Sequence, residues 1–232
     1  MFYKPGTPHN LPRDPFKACV IPRPIGWISS VSRDGVPNLA PYSQFNNLTF
    51  DPPYVMFSAN QTHENKIKDS ARNAQETGFF VWNLATWDTR EAVNKSAQYL
   101  AADVDEFEVA GVTKEPSEVY STCPRVKESP VHFDCKYHTT VRLPGNPPMG
   151  TVDVIIAEVV GIHIADDVLT DGLLDVRKTQ PIARCGYHEY AVVRETFEMI
   201  IPSIGPGGKE MLSGLEGSAK DNRAMMGAEK GA

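Results

Sequence analysis

The chain is expected to fold as a mainly β protein with some α, a Greek-key-like antiparallel barrel with a few peripheral helices. Three observations point there. Apolar runs of strand length recur along the chain, while only two segments have clear helical periodicity. There is no alternation of strand and long helix of the kind that builds a parallel sheet. Two alternating apolar runs meet at Asp34-Gly35, a pair that favours a hairpin turn.

In chain order, Pro5, Pro8, Pro12 and Pro15 make residues 1–14 an extended arm, because proline removes a donor and disfavours a helix just before it. The hairpin follows over residues 22–46. Asp51-Pro52-Pro53 breaks the chain, and Tyr54 to Ala59 reads as a short buried strand. Residues 69–77 read as a helix, with Asp69 or Ser70 as N-cap and Gly78 as stop. Residues 79–84 are an apolar strand, and 87–100 an amphipathic helix. Residues 103–129 are acidic and irregular. Two long strands come next, 131–143 and 151–164, joined by a loop rich in proline and glycine. A turn at Asp171-Gly172 and closing strands at 190–193 and 197–201 complete a domain expected to span 15–204. The tail from 205 to 232 is Gly- and charge-rich, with a short docked helix expected near 208–216.

Composition excludes several function classes. With 232 residues and 41% hydrophobic content the chain can bury a sizeable core. A net charge of -6 leaves no basic surplus for nucleic acid or anionic lipid. No apolar stretch approaches the roughly 20 residues that span a membrane, and the N-terminus lacks the apolar core of a secretory signal. Cys19, Cys123, Cys135 and Cys185 form no CxxC pair, so reduced, mostly buried thiols and a cytoplasmic location are expected. Cys185 with His188, and His132 with Cys135, have too few partners to make a metal site.

The chemistry concentrates in two places. In the first hairpin, Ser29, Ser30, Tyr42, Ser43 and Asn46 put small hydrogen-bonding groups on strands that otherwise look half buried. A strand that only builds a core prefers Val, Ile and Phe, so these positions suit a flat ligand with polar edges. The second place is Lys68-Asp69-Ser70 at a helix start, reached from Ser58-Ala59-Asn60. Free amides and the dipole at a helix N-terminus attract an anion, and Lys68 and the Ser70 hydroxyl add a charge and a donor. Together the two places describe a flavin mononucleotide, ring on the hairpin and phosphate at the helix.

The motifs PRPIGWISS, DGVPNLAPYS, DPPYVMFS, KDS with TGFFVWNL, DEFEVAG and PRVKESPVHFDC run in order from about Pro15 to Pro202. In this order the chain resembles the flavin reductase-like family of FMN-binding split barrels, which includes reductase components of two-component monooxygenases and flavoredoxins. The resemblance implies a split barrel, a homodimer, and FMN near the dimer interface. It implies a flavin bed from Trp27 to Ser30 and from Ala40 through Pro41 to Asn46, and a ribityl and phosphate path at Ser58 and Asn60. Lys68, Asp69 and Ser70 match the family's KDT phosphate element with serine in place of threonine, and Arg184 matches a late basic position facing the pocket. The implied activity is hydride transfer from NADH or NADPH to flavin, with no general acid or base, serving a monooxygenase or another acceptor of reduced flavin. An FMN electron carrier reduced by a protein partner fits the same motifs. A pyridoxine-phosphate oxidase-like enzyme needs a second basic pocket that is not evident. No GxGxxG follows a strand, so a nicotinamide dinucleotide would bind without a Rossmann domain.

Overall fold

The computed structural model describes residues 1–199, apart from positions 63 and 65. The elements in chain order are α1 (Phe16–Cys19), β1 (Arg23–Pro24), β2 (Gly26–Val31), β3 (Pro37–Tyr42), β4 (Phe45–Phe50), β5 (Pro53–Asn60), α2 (Asp69–Thr77), β6 (Phe79–Asn83), α3 (Arg90–Lys95) and α4 (Glu106–Ala110). They continue with β7 (Lys114–Pro116), β8 (Pro124–Val126), β9 (Val131–Leu143), β10 (Val152–Ile164), β11 (Leu169–Thr170), β12 (Leu173–Leu174), α5 (Val176–Thr179), β13 (Ile182–Arg184) and β14 (Tyr190–Val192).

Seven strands form one antiparallel sheet in the order β3-β2-β6-β9-β10-β5-β4. The strands at its two edges, β3 and β4, are neighbours in sequence, so the chain between Tyr42 and Phe45 crosses from one edge to the other. The sheet therefore curls on itself without a ladder joining β3 to β4, which is what splits the barrel. Side chains close this seam. Phe45 packs so tightly over Gly26 that a Cβ there would lie 2.7 Å from the Phe45 ring. Phe45 also stacks on Trp82 at 5.4 Å, and the Gln44 carbonyl accepts from the Ser58 N–H at 2.8 Å. The barrel interior is apolar, built on Ile28, Phe57, Phe80 and Ile155, all fully buried. A second cluster around Trp27, Leu39, Phe107 and Val126 packs α3 and α4 against the hairpin.

The two long strands and the strands at 53–60 and 79–83 fall where the alternation of residues predicts. The hairpin is shorter than residues 22–46, because β3 ends at Tyr42 and β4 belongs to the far edge. Helix 87–100 contracts to α3, since Thr86 and Thr89 bond each other and delay its start. The irregular stretch 103–129 contains α4, capped by Asp105, whose carboxylate accepts from the Phe107 N–H at 2.9 Å. Residues 197–199 are not strand, while 200–201 and the tail at 205–232 lie outside the described residues. Among the described residues no helix is long and apolar enough to cross a membrane.

Replacing Gly26 with Ala should cost about 1–3 kcal/mol, because the added methyl collides with a ring buried in the seam. A lower urea midpoint with an unchanged slope is the expected result.

Candidate functional site

Helix α2 begins in an unusual way. Its N-cap is Lys68, not Asp69 or Ser70, and no side chain caps its free amides. Lysine has no acceptor with which to cap a helix, so it ranks poorly at this position. The first intrahelical bond goes from the Arg72 N–H to the Lys68 carbonyl at 3.0 Å, which leaves the amides of the preceding turn without an intrahelical acceptor. Asp69 is the one carboxylate in that turn, and its side chain is paired with Arg72. Lys68 has no carboxylate partner among the described residues; its ammonium sits 5.7 Å from the centre of the Tyr42 ring. Burial lowers its pKa, so the protein pays to keep a cation here.

These groups open into a cavity of about 580 Å³. Its walls are the edge strand β3 at Ala40, Pro41 and Tyr42, the start of α2 at Lys68 to Ser70, and the segment from Ser96 to Ala102. Asn38, Thr62, Lys66, Ile67, Arg72 and Glu106 complete the lining. Beneath it lies a buried polar bridge. The Asn38 amide donates to Ser70 Oγ at 2.8 Å and to Ser30 Oγ at 3.3 Å, and Asn73 donates to the same Ser30 oxygen at 3.1 Å. Because Ser70 Oγ accepts from Asn38, its own hydrogen is left to donate. Tyr42 is buried beside it. Burial raises the phenol's pKa against the smaller, opposing effect of a hydrogen bond with Ser70, so the phenol stays neutral. Glu106 is 8% exposed. Its Oε2 accepts from the Leu39 N–H at 3.2 Å, and burial raises its pKa in spite of that bond.

Six of the expected residues come together here: Ala40, Pro41, Tyr42, Lys68, Asp69 and Ser70. Others do not. Trp27, Ser29 and Ser30 are fully buried. Trp27 Nε1 donates to Ser96 Oγ at 3.0 Å, and Ser29 Oγ accepts from Asn83 at 3.1 Å. The backbone of β2 pairs with β3 on one side and β6 on the other, so this strand offers neither side chains nor free backbone to a ligand. Its serines knit the hairpin to β6 and α2. Ser43 and Ser58 are half-buried, and Asn46 and Asn60 exposed, outside the cavity lining. On β5 the inward positions are Phe57 and Ala59, which sets Ser58 and Asn60 on the outer face. Arg184 stacks on Tyr190 at 4.5 Å and donates to Tyr190 Oη at 2.6 Å, in a separate cluster. Asn38, Thr62, Lys66, Arg72, Glu106 and residues 96–102 went unnoticed in sequence. Asn38 and Glu106 lie inside the motifs DGVPNLAPYS and DEFEVAG, which was the available signal.

Residues 18–183 match the flavin reductase like domain model. The chain belongs to this family. An uncharacterized protein of Halalkalibacterium halodurans is 37% identical over 185 residues, covering 80% of this chain and 88% of the relative. The crystal structure of nitrilotriacetate monooxygenase component B from Bacillus cereus superposes with a TM-score of 0.77 at 32% identity, covering 86% of this chain and 98% of that one. The flavoredoxin of Desulfovibrio vulgaris shares the fold, with a TM-score of 0.68 at 21% identity over 86% of this chain and 97% of its own. The split barrel and the membership in an oxidoreductase family are thereby established.

A carboxyl whose folded pKa is raised keeps its proton after the unfolded chain has lost it. Stability therefore falls as pH rises from the ordinary carboxyl value through the raised one. Glu106→Gln keeps an acceptor for Leu39 and removes that loss. The variant should match the parent near pH 4 and be the more stable of the two at pH 7, measured by urea unfolding at both.

Proposed function

We propose that the protein is an FMN-binding flavin reductase that passes a hydride from NADH or NADPH to flavin. The observation that carries this reading is the start of α2: a nine-residue helix with lysine at its N-cap and no side-chain cap, opening into a large cavity beside an edge strand. Such a helix start fits a phosphate, which supplies the missing acceptors and the counter-charge for Lys68. The residues present therefore suit the phosphate end of FMN.

The bound flavin supplies the electron-accepting ring. The chain's own residues hold and orient it. The uncapped amides of the first turn of α2, the Lys68 ammonium and the Ser70 hydroxyl would donate to the phosphate. Asn38 keeps Ser70 turned the right way by occupying its acceptor side. Ala40, Pro41 and the neutral Tyr42 line the same cavity and would form a wall for the rest of the cofactor. No residue is assigned as a general acid or base, because hydride transfer between two rings needs none.

A homodimer fits the same reading. Leu48 and Phe50 on β4, and Val160 and Ile162 on β10, are large apolar side chains 41–59% exposed. A second copy covering this side would bring Ser43, Asn46, Ser58 and Asn60 under cover, and they are assigned to the site on that basis. Similarity to a monooxygenase component supports a role in delivering reduced flavin to a partner enzyme.

Two measurements test the proposal. Lys68→Ala combined with Ser70→Ala should weaken FMN by at least tenfold in a flavin-fluorescence titration, since charge-assisted bonds to phosphate are each worth about 1.5–3 kcal/mol. Unchanged affinity would remove the phosphate assignment. Anaerobic mixing of the FMN-loaded protein with NADH or NADPH should bleach the flavin absorbance within seconds with at least one donor. No bleaching with either contradicts the reductase and leaves the carrier.

A further inference from the structure

The cavity at α2 has a second polar wall, made of acceptors instead of donors. Glu106, the first residue of α4, lines it and is 8% exposed. Its Oε2 accepts from the Leu39 N–H at 3.2 Å, and the carboxyl also accepts from its own backbone N–H. It has no cationic partner among the described residues: of the nearby cations, Lys66 pairs with Glu64, Arg72 with Asp69 and Lys114 with Asp105. A carboxylate offers about four lone-pair sites, so part of its capacity stays open to the cavity. Burial raises its pKa against the backbone bonds, the mark of a carboxyl that has lost water and gained too few donors.

The adjoining edge strand adds to this wall. Along an antiparallel strand, the backbone groups of alternate residues point to the partner strand and away from it. Because the Leu39 N–H reaches Glu106, residues 37, 39 and 41 turn away from β2. Pro37 and Pro41 have no N–H to give. On this edge between 37 and 41 the one donor is therefore the Leu39 N–H, and Glu106 takes it. What β3 offers the cavity at Pro41 is carbonyl oxygen.

The start of α2 is the reverse, with uncapped amides, the Lys68 ammonium and the Ser70 hydroxyl. Both sets are anchored on neighbouring residues of β3: the Asn38 amide holds Ser70 Oγ, and the Leu39 N–H holds Glu106. Besides burial, the charges of Asp69 on α2 and Glu106 on α4 both raise the pKa of Tyr42, which places the two near the same phenol. A ligand that satisfies both sets carries an anion and, a few bonds away, groups that donate hydrogen. A phosphate ester of a polyol or sugar has this pattern, because its hydroxyl groups sit on the carbons beside the ester. A group that carries only acceptors would face acceptors and be rejected.

We propose that Glu106 determines ligand specificity: its carboxylate accepts from hydroxyl groups on the carbon chain that carries the phosphate. The inference rests on the phosphate assignment at α2 and adds the class of group joined to that phosphate. Two sources have this chemistry, the ribityl phosphate of FMN and the ribose phosphate of a nucleotide.

The full-length protein would be titrated by flavin fluorescence with FMN, with riboflavin, and with an FMN analogue whose ribityl chain is replaced by a phosphopentyl chain without hydroxyl groups. FMN should bind about tenfold tighter than the analogue, or more. Glu106→Gln keeps an acceptor for the Leu39 N–H and removes the charge, so this preference should fall by about threefold or more. The ratio of the two affinities cancels the general effect of removing a negative charge near a phosphate. A purely structural role for Glu106 would change both affinities equally and leave the ratio as it was. Competition identifies the source. Displacement of FMN by 5′-AMP, weaker in Glu106→Gln, points to a nucleotide sugar, and no displacement points to the ribityl chain. Equal affinity for FMN and riboflavin would remove the phosphate reading and this inference with it. If FMN outbinds riboflavin but no better than the phosphopentyl analogue does, or if the preference survives in Glu106→Gln, the phosphate reading stands and the role of Glu106 is overturned.

Discussion

One side-chain amide, that of Asn38, ties the first turn of α2 to the hairpin of β2 and β3. Its two hydrogens go to Ser70 Oγ on the helix and Ser30 Oγ on the neighbouring strand. All three side chains are buried, so the bond cannot be exchanged for water without opening the structure. A helix whose first amides have no side-chain cap would otherwise fray. Here its start is held from below, which leaves the upper side of the turn, with Lys68, lining the cavity. The arrangement stores binding capacity in a rigid element rather than in a mobile loop.

The barrel seam explains why the cavity lies where it does. The chain leaves β3 at Tyr42 and enters β4 at Phe45 on the opposite edge. No ladder covers β3 on that side, so its outer edge is available, and Ala40, Pro41 and Tyr42 line the cavity there. The Phe45 ring over Gly26 holds the seam shut by packing alone. An edge strand with unpaired backbone is a liability in most proteins. In this one α4 covers part of it, with Glu106 accepting from the Leu39 N–H.

Strand pattern and helix boundary were legible in the sequence because they depend on local periodicity and stop signals: Val131–Leu143, Val152–Ile164 and the end of α2 at Gly78 all follow from residues close together in the chain. Lys68 to Ser70 was legible for the same reason. The partners of the β2 serines were not legible, because small polar residues on a strand look alike whether they face a ligand or a buried amide 8 or 43 residues away. Long-range partners such as Asn73 to Ser30 and Asn83 to Ser29 leave no periodic trace. The wall from Ser96 to Ala102 and the carboxyl of Glu106 were hidden likewise, since only the tertiary packing of α3 and α4 on the hairpin brings them to the cavity.

The central claim is that a ligand phosphate caps α2. The most direct measurement is the amide proton and nitrogen NMR shifts of Ser70 and Ala71 with saturating FMN and, separately, with saturating riboflavin, which carries the same ring and no phosphate. The account predicts large downfield shifts of both amides with FMN and little change with riboflavin. Equal shifts with the two flavins, or none with either although FMN binds, would contradict it.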